Sequence, residues 1–219
     1  MNYRYIEFKN DNEVEIWLNS HYKKFFKYLY KNVNNENTLA DALFCYTGSM
    51  SMNYNNILKL NNGAIDNIDF IIEKYYDYGK DEIDDYFIKD AKNNIKKIYN
   101  AFKLNEICDD IILYHYFHYK NYEKNFLEND IYNIKHFIST TLLKDSQGIL
   151  KLIDKNKYDA VLIIKVNKGT ECIPIGNNPN SCLKEHEIIL KPNSKFKIIK
   201  CKRKFFGKIK NIIECELVG

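Results

Sequence analysis

The chain has 219 residues, 45% of them hydrophobic and 28% charged, with a formal net charge of +4 at pH 7. That length allows one well-buried core, and the balance of apolar to charged residues lies outside the range in which chains stay disordered. No run of about 18 apolar residues offers a transmembrane helix, and the six cysteines form no CxxC pair of the kind that holds zinc or runs redox chemistry.

The charge is unevenly spread. Between Lys195 and Lys210 stand eight basic residues and no acid, while the remainder carries 25 positive against 29 negative charges. Such a stretch can steer toward an acidic partner, but its alternation of lysine with apolar residues is also that of a solvated hairpin. No nucleic-acid-binding motif accompanies it. Residues Met1 to Glu7 lack the apolar stretch of a secretory signal, and reduced thiols fit a cytosolic setting, in the producing cell or in a target cell. A monomer is expected.

The first half reads as helix. Val14, Leu18, Phe25 and Leu29 fall on one helical face with Trp17 and Tyr22 beside them. Ile65, Ile68, Ile72 and Tyr75 form a second stripe between Gly63 and Gly79, and Ile88, Ala91, Ile95, Ile98 and Phe102 form a third. These stripes are core.

After about residue 104 the period changes to that of strands. Ile111–Tyr114, Val161–Val166, Ile188–Leu190, Phe196–Ile199 and Ile212–Leu217 are short β-rich runs, and the three prolines, Pro174, Pro179 and Pro192, are placed in the loops between them. Helices followed by strands predict an α+β fold. We expect a single domain over residues 1–219, mainly helical to about 104 and mainly β thereafter.

Three places carry candidate chemistry. Glu185-His186-Glu187 stands at the head of a strand, where alternation would turn both carboxylates to one face. Paired carboxylates suit general-base work and stabilisation of an oxocarbenium-like centre in glycosyl transfer, although Glu13/Glu15 and Glu214/Glu216 repeat the spacing on ordinary polar faces. Phe137-Ile138-Ser139-Thr140-Thr141 ends a strand with three adjacent hydroxyls, able to bond a ribose or a carboxylate, or simply to cap local backbone. Tyr114-His115 closes the run Ile111–Tyr114. A lone histidine there is equally at home as a structural residue.

The order of these three places resembles the R-S-E class of ADP-ribosyltransferases, to which the clostridial binary-toxin enzyme components belong. That class has Tyr-Arg at a strand end, then Phe-x-Ser-Thr-Ser, then a turn-rich loop and Glu-x-Glu-Ile-Leu-Leu. This chain has Tyr114-His115, Phe137–Thr141 and Glu185–Leu190 in the same order. Upstream, Tyr46-Thr47-Gly48-Ser49 precedes Asn55-Asn56-Ile57-Leu58 as in the class's YTGS…NN-x-L segment, and Lys165–Thr170 resembles its strand followed by a Gly-Thr turn. The likeness runs over roughly residues 14–217.

The resemblance implies N-terminal helices packed on a split β-sandwich with NAD in a central cleft, NAD serving as co-substrate and no metal taking part. By the same likeness, Glu187 would hold the nicotinamide ribose, Ser139 would orient Glu187, and Glu185 would be the base for an incoming arginine. Tyr114, His115, Phe137, Thr140 and Thr141 would occupy NAD-binding positions. His115 replaces the class arginine that grips the diphosphate, and Thr141 replaces the second serine. Residues 176–184 would face the target protein. The implied activity is transfer of ADP-ribose to a protein arginine by a toxin or effector. The same constellation would also serve NAD hydrolysis or a non-protein acceptor, and a fold retained only for binding is the alternative from another class.

Overall fold

Helix α1 (Asp11–Asn32) begins where Asn10 accepts a hydrogen bond from the Glu13 N–H at 3.0 Å. The Glu13 carboxylate reaches back to the Lys9 N–H at 2.9 Å, so the Glu13 N–H and the N–H just ahead of the cap are both satisfied locally. Val14, Trp17, Leu18, Tyr22, Phe26 and Leu29 are the buried stripe of that helix. Thr38 caps α2 (Leu39–Cys45) by accepting from the Asp41 N–H at 3.1 Å. A π-type turn over Tyr46–Met50 then leaves helical geometry at Gly48 (φ −90°, ψ −114°) before α3 (Ser51–Leu60) resumes. Helix α4 (Asp85–Ala101) buries Ala91, Ile95 and Ile98, and α5 (Gln147–Asp154) is capped by Ser146. The computed structural model describes residues 5–32, 35–68, 70–72, 85–121, 126–155, 157–176 and 185–219. Tyr75 and Gly79, part of the second predicted stripe, lie outside these, whereas Ile68 and Ile72 of that stripe are buried.

Among the described residues eight strands follow: β1 (Ile111–Phe117), β2 (Ile131–Ile134), β3 (Ile138–Thr141), β4 (Ala160–Val166), β5 (Cys172–Gly176), β6 (Glu187–Leu190), β7 (Ser194–Arg203) and β8 (Asn211–Leu217). Their order is β2-β7-β8-β4-β1-β3-β6-β5. Seven residues of β1 register with β4, but β1 meets β3 at one pair only, Tyr114↔Thr141. The sheet therefore hinges at β1/β3 into a five-strand half and a three-strand half. One apolar cluster takes Leu113, Phe117, Leu162 and Ile164 from the first half and Ile138, Ile188 and Leu190 from the second, so the halves close on each other as a split sandwich. On its other face the three-strand half meets α2, α3 and α4 through Phe137, Ile173, Ile175 and Ile189. The mixed α+β architecture with N-terminal helices is as expected.

Two local expectations are corrected. Pro174 is not in a loop but in β5, a strand at the sheet's edge, where a missing N–H leaves no ladder bond unmade. The pairing of β5 with β6 slips between Pro174 and Gly176. Gly176 ends the strand at φ +65°, and a Cβ there would stand 3.2 Å from the Phe26 ring of α1. The stretch after β3 contains α5. Finally, β6 begins at Glu187, and His186 before it has φ +49°, so Glu185 is set by a left-handed turn and not by strand alternation.

Candidate active site

Glu187 opens β6 opposite Thr141, and Ser139 lies opposite Ile189, so Ser139, Thr141, Glu187 and Ile189 share one face of the three-strand half. The same face passes through the hinge to Tyr114, the partner of Thr141. Glu187 is only 7% exposed. Burial pushes its carboxyl up to about 7, opposed by a hydrogen bond from Ser139 and reinforced by the charge of Glu185. A carboxyl poised near neutrality in a closed site is a mark of functional placement.

The helices add a group to which the motifs alone assign no role. Tyr46, at the break between α2 and α3, is 1% exposed, and its hydroxyl lies 3.2 Å from Ser139 Oγ. Asn55 Nδ2 donates to the Tyr46 hydroxyl at 3.5 Å, which gives a relay Asn55, Tyr46, Ser139, Glu187. The only signal for it in the sequence is the segment Tyr46-Thr47-Gly48-Ser49 to Asn55 that resembles the class. Phe137 is wholly buried, edge-on to Tyr46 (5.3 Å, 82°) and stacked with Phe102 (5.9 Å). It seats Tyr46 from behind and has no surface to offer a ligand.

Glu185 is placed through His186. The His186 side chain is fully buried, and its Nε2 pairs with Asp11 Oδ1 at the start of α1, while the His186 carbonyl accepts from the Leu142 N–H at 3.2 Å. These ties fix the turn that brings Glu185 within Coulombic range of Glu187. Burial raises the Glu185 carboxyl as well. Tyr158, packed with Tyr114, Tyr116 and Val161 on the outer face of the five-strand half, feels both carboxylates, and its hydroxyl is raised by burial and by their charges. No signal in the sequence marks Tyr158, because nothing adjacent to it carries chemistry.

Tyr114 donates from its hydroxyl to Glu7 Oε1 at 2.6 Å. Segment 5–10 is held against β1 by the Ile6↔Ile111 bridge, which is why Glu7 arrives there. Lys9 Nζ bonds Glu7 Oε2 at 2.7 Å, and the charge of Lys144 also holds the Glu7 carboxyl below its usual range. Tyr116 donates to the Lys144 carbonyl at 2.8 Å. Cations thus stand beside the Tyr114 end of the face.

His115 is not on that face. Alternation along β1 turns it to the side of Leu113 and Phe117, where its ring stacks on Phe117 (5.6 Å, 11°) and its Nδ1 bonds the Ser139 carbonyl oxygen at 2.8 Å. Burial lowers its pKa, so the ring is neutral near pH 7. The expectation of His115 at a diphosphate is therefore corrected: its contact is with the backbone behind Ser139. Thr140 likewise turns away from Ser139 and donates to the Ile188 carbonyl at 2.6 Å, while Thr141, on the shared face, donates to the Leu143 carbonyl at 3.2 Å. The segment expected to face a target lies, from residue 177 to 184, outside the described residues.

The family profile described as ADP-ribosyltransferase exoenzyme matches residues 15–218. No curated protein sequence matches the chain. Among solved structures, the ADP-ribosylating toxin BECa of a binary enterotoxin of C. perfringens, solved with NADH, is similar with a TM-score of 0.70 at 17% identity. That match covers 98% of this chain and 50% of BECa, so the chain spans about half of that protein's length. An ADP-ribosyltransferase from Clostridium botulinum matches with a TM-score of 0.66 at 17% identity, covering 98% of both chains. The C3 exoenzyme of Clostridium limosum matches with a TM-score of 0.66 at 18% identity over 99% of this chain and 98% of its own.

Proposed function

Since the chain belongs to the ADP-ribosyltransferase exoenzyme family, we propose that it transfers ADP-ribose from NAD to a protein side chain, arginine by preference, and releases nicotinamide. The observation that carries this reading is the buried Glu187 carboxylate, tied to Ser139 and flanked by Glu185.

In this reading the face running from Glu187 to Tyr114 is the NAD cleft. A carboxyl titrating near neutrality suits it, because the positively charged nicotinamide ring would favour the ionised form on binding. Glu187 accepts a hydrogen bond from a hydroxyl of the nicotinamide ribose and stabilises the positive charge that develops at the anomeric carbon. The bond from that carbon to the nicotinamide nitrogen breaks, and its electron pair leaves with the nicotinamide. Ser139, held by Tyr46, keeps Glu187 in place. Glu185 takes the proton that a guanidinium nitrogen loses as it bonds to the anomeric carbon. Tyr114 and Thr141 line the cleft, Phe137 and Thr140 support it from behind, and His115 acts through the Ser139 backbone.

Labelled NAD incubated with purified protein and a cell lysate tests this. Labelled protein bands that vanish with Glu187→Gln, and that resist hydroxylamine less than cysteine-linked label does, support transfer to arginine. Free ADP-ribose without labelled protein would indicate a glycohydrolase, and neither product would indicate a binding module.

A further inference from the structure

The strands β7 and β8 are closed at their far end by the Lys204 N–H to Lys210 carbonyl bond (2.7 Å). Between these residues lies the loop Phe205-Phe206-Gly207-Lys208-Ile209. Phe205 is 91% and Phe206 89% exposed. Single exposed apolar residues are ordinary on protein surfaces, but two adjacent, almost wholly bare phenyl rings form a patch that water disfavours. Gly207 makes the turn with φ +97°, and a Cβ placed there would have no atom within 4 Å, so the apex stands clear of the rest of the molecule.

The loop has a fixed root. The Lys210 and Asn211 N–H groups both donate to the Asp159 carbonyl (2.8 and 3.2 Å), and Ile209 packs on the cluster of Tyr114, Tyr116 and Val161. The rings are therefore presented from a braced platform. Cations flank them on both sides: Arg203 and Lys204 before, Lys208 and Lys210 after. Lys208 is bridged to Asp154 at 2.6 Å and Lys202 to Glu214 at 2.9 Å. Among the described residues no ion pair joins Arg203, Lys204 or Lys210 to an acid.

We propose that the Phe205-Phe206 tip, with its collar of Arg203, Lys204, Lys208 and Lys210, is a membrane-docking wedge that enters the headgroup and upper acyl region of a bilayer rich in anionic phospholipid. A convex apolar apex has no groove of its own, and a protein partner would need a matching pocket. A bilayer offers apolar depth beneath a continuous layer of phosphates, which complements a stretch from Lys195 to Lys210 that contains no acid. The inference is independent of the catalytic reading.

Co-sedimentation with phosphatidylserine-containing and with pure phosphatidylcholine vesicles, across a salt series, tests the proposal on the full chain. Binding should favour the anionic vesicles and weaken as salt rises. Phe205→Ser with Phe206→Ser, which keeps Gly207 and the strand pairing, should weaken partition by at least about tenfold. Lys204→Gln with Lys210→Gln should weaken it by roughly 30-fold. The chain has one tryptophan, Trp17, 7% exposed, so Phe205→Trp adds a separable reporter whose emission should shift to the blue on anionic vesicles and be quenched by brominated lipid. Equal partition of wild type and the serine pair, or an unshifted tryptophan, overturns the proposal. So does an absence of vesicle binding together with a loss of protein labelling in the serine pair, which would assign the tip to the acceptor protein instead.

Discussion

Glu187→Gln should stabilise the protein while inactivating it, and the size of the gain follows from the site. Burial outweighs the Ser139 hydrogen bond and lifts the Glu187 carboxyl from 4.5 to about 7. At about 1.4 kcal/mol per unit, the ionised carboxylate then costs the folded state roughly 3 kcal/mol. The sign follows from proton counting. Between 4.5 and about 7 the folded chain holds a proton that the unfolded chain has lost, so stability falls as pH rises through that window. Glutamine keeps the shape and an oxygen to accept from Ser139, but it carries no charge to desolvate. Below pH 4.5 variant and wild type should melt together; above pH 7 the variant should be more stable by up to ~3 kcal/mol, or about 6–12 °C in melting temperature for a chain of this size. Urea unfolding at pH 4 and pH 8 followed by circular dichroism measures this. A variant no more stable than wild type at pH 8 would show that Glu187 is solvated and not in the closed site described. Nicotinamide release should meanwhile fall by at least about two orders of magnitude.

Glu185→Gln should reduce protein labelling far more than nicotinamide release, since water attack does not need that base; equal losses, read from the same labelled-NAD assay, would make Glu185 structural. Tyr46→Phe removes the hydroxyl that supports Ser139, so the acidic limb of nicotinamide release should move to higher pH at a stability loss of about 1 kcal/mol; an unmoved pH profile would cut Tyr46 out of the relay. Asp11→Ala strips the partner from buried His186 and should destabilise the chain by about 1–3 kcal/mol. The same change should lower labelling more than nicotinamide release, because the Glu185 turn loosens; a uniform fall in both would contradict that. His115→Arg would force a permanent charge toward the Phe117 side of β1, so calorimetry should show NAD affinity unimproved and the melting temperature lowered. Tighter NAD binding with an intact fold would return residue 115 to the cleft.

What the sequence determined by itself is what adjacency and period can encode. The stripe from Val14 to Leu29 repeats at helical spacing and is the buried face of α1, and the runs around Ile111, Val161, Ile188, Phe196 and Ile212 are strands. The order Tyr114-His115, Phe137–Thr141, Glu185–Glu187 pointed to the family because a motif is a short piece of chain. Which face each motif residue presents was not legible. Tyr114 and His115 are neighbours in sequence yet lie on opposite sides of β1, and only the single pair Tyr114↔Thr141 at the hinge decides which side continues the face that carries Glu187. Phe137 belongs to the motif but is buried behind Tyr46. The Tyr46–Ser139 contact spans 93 positions and the Asp11–His186 pair 175. Contacts of that length depend on how the helices dock and how the two sheet halves close, and no local pattern records them. Glu185 stands by Glu187 through a left-handed turn braced from α1. The candidate residues were therefore written in the chain, while their directions were fixed by register, by the hinge between the sheet halves and by the burial these impose on each side chain.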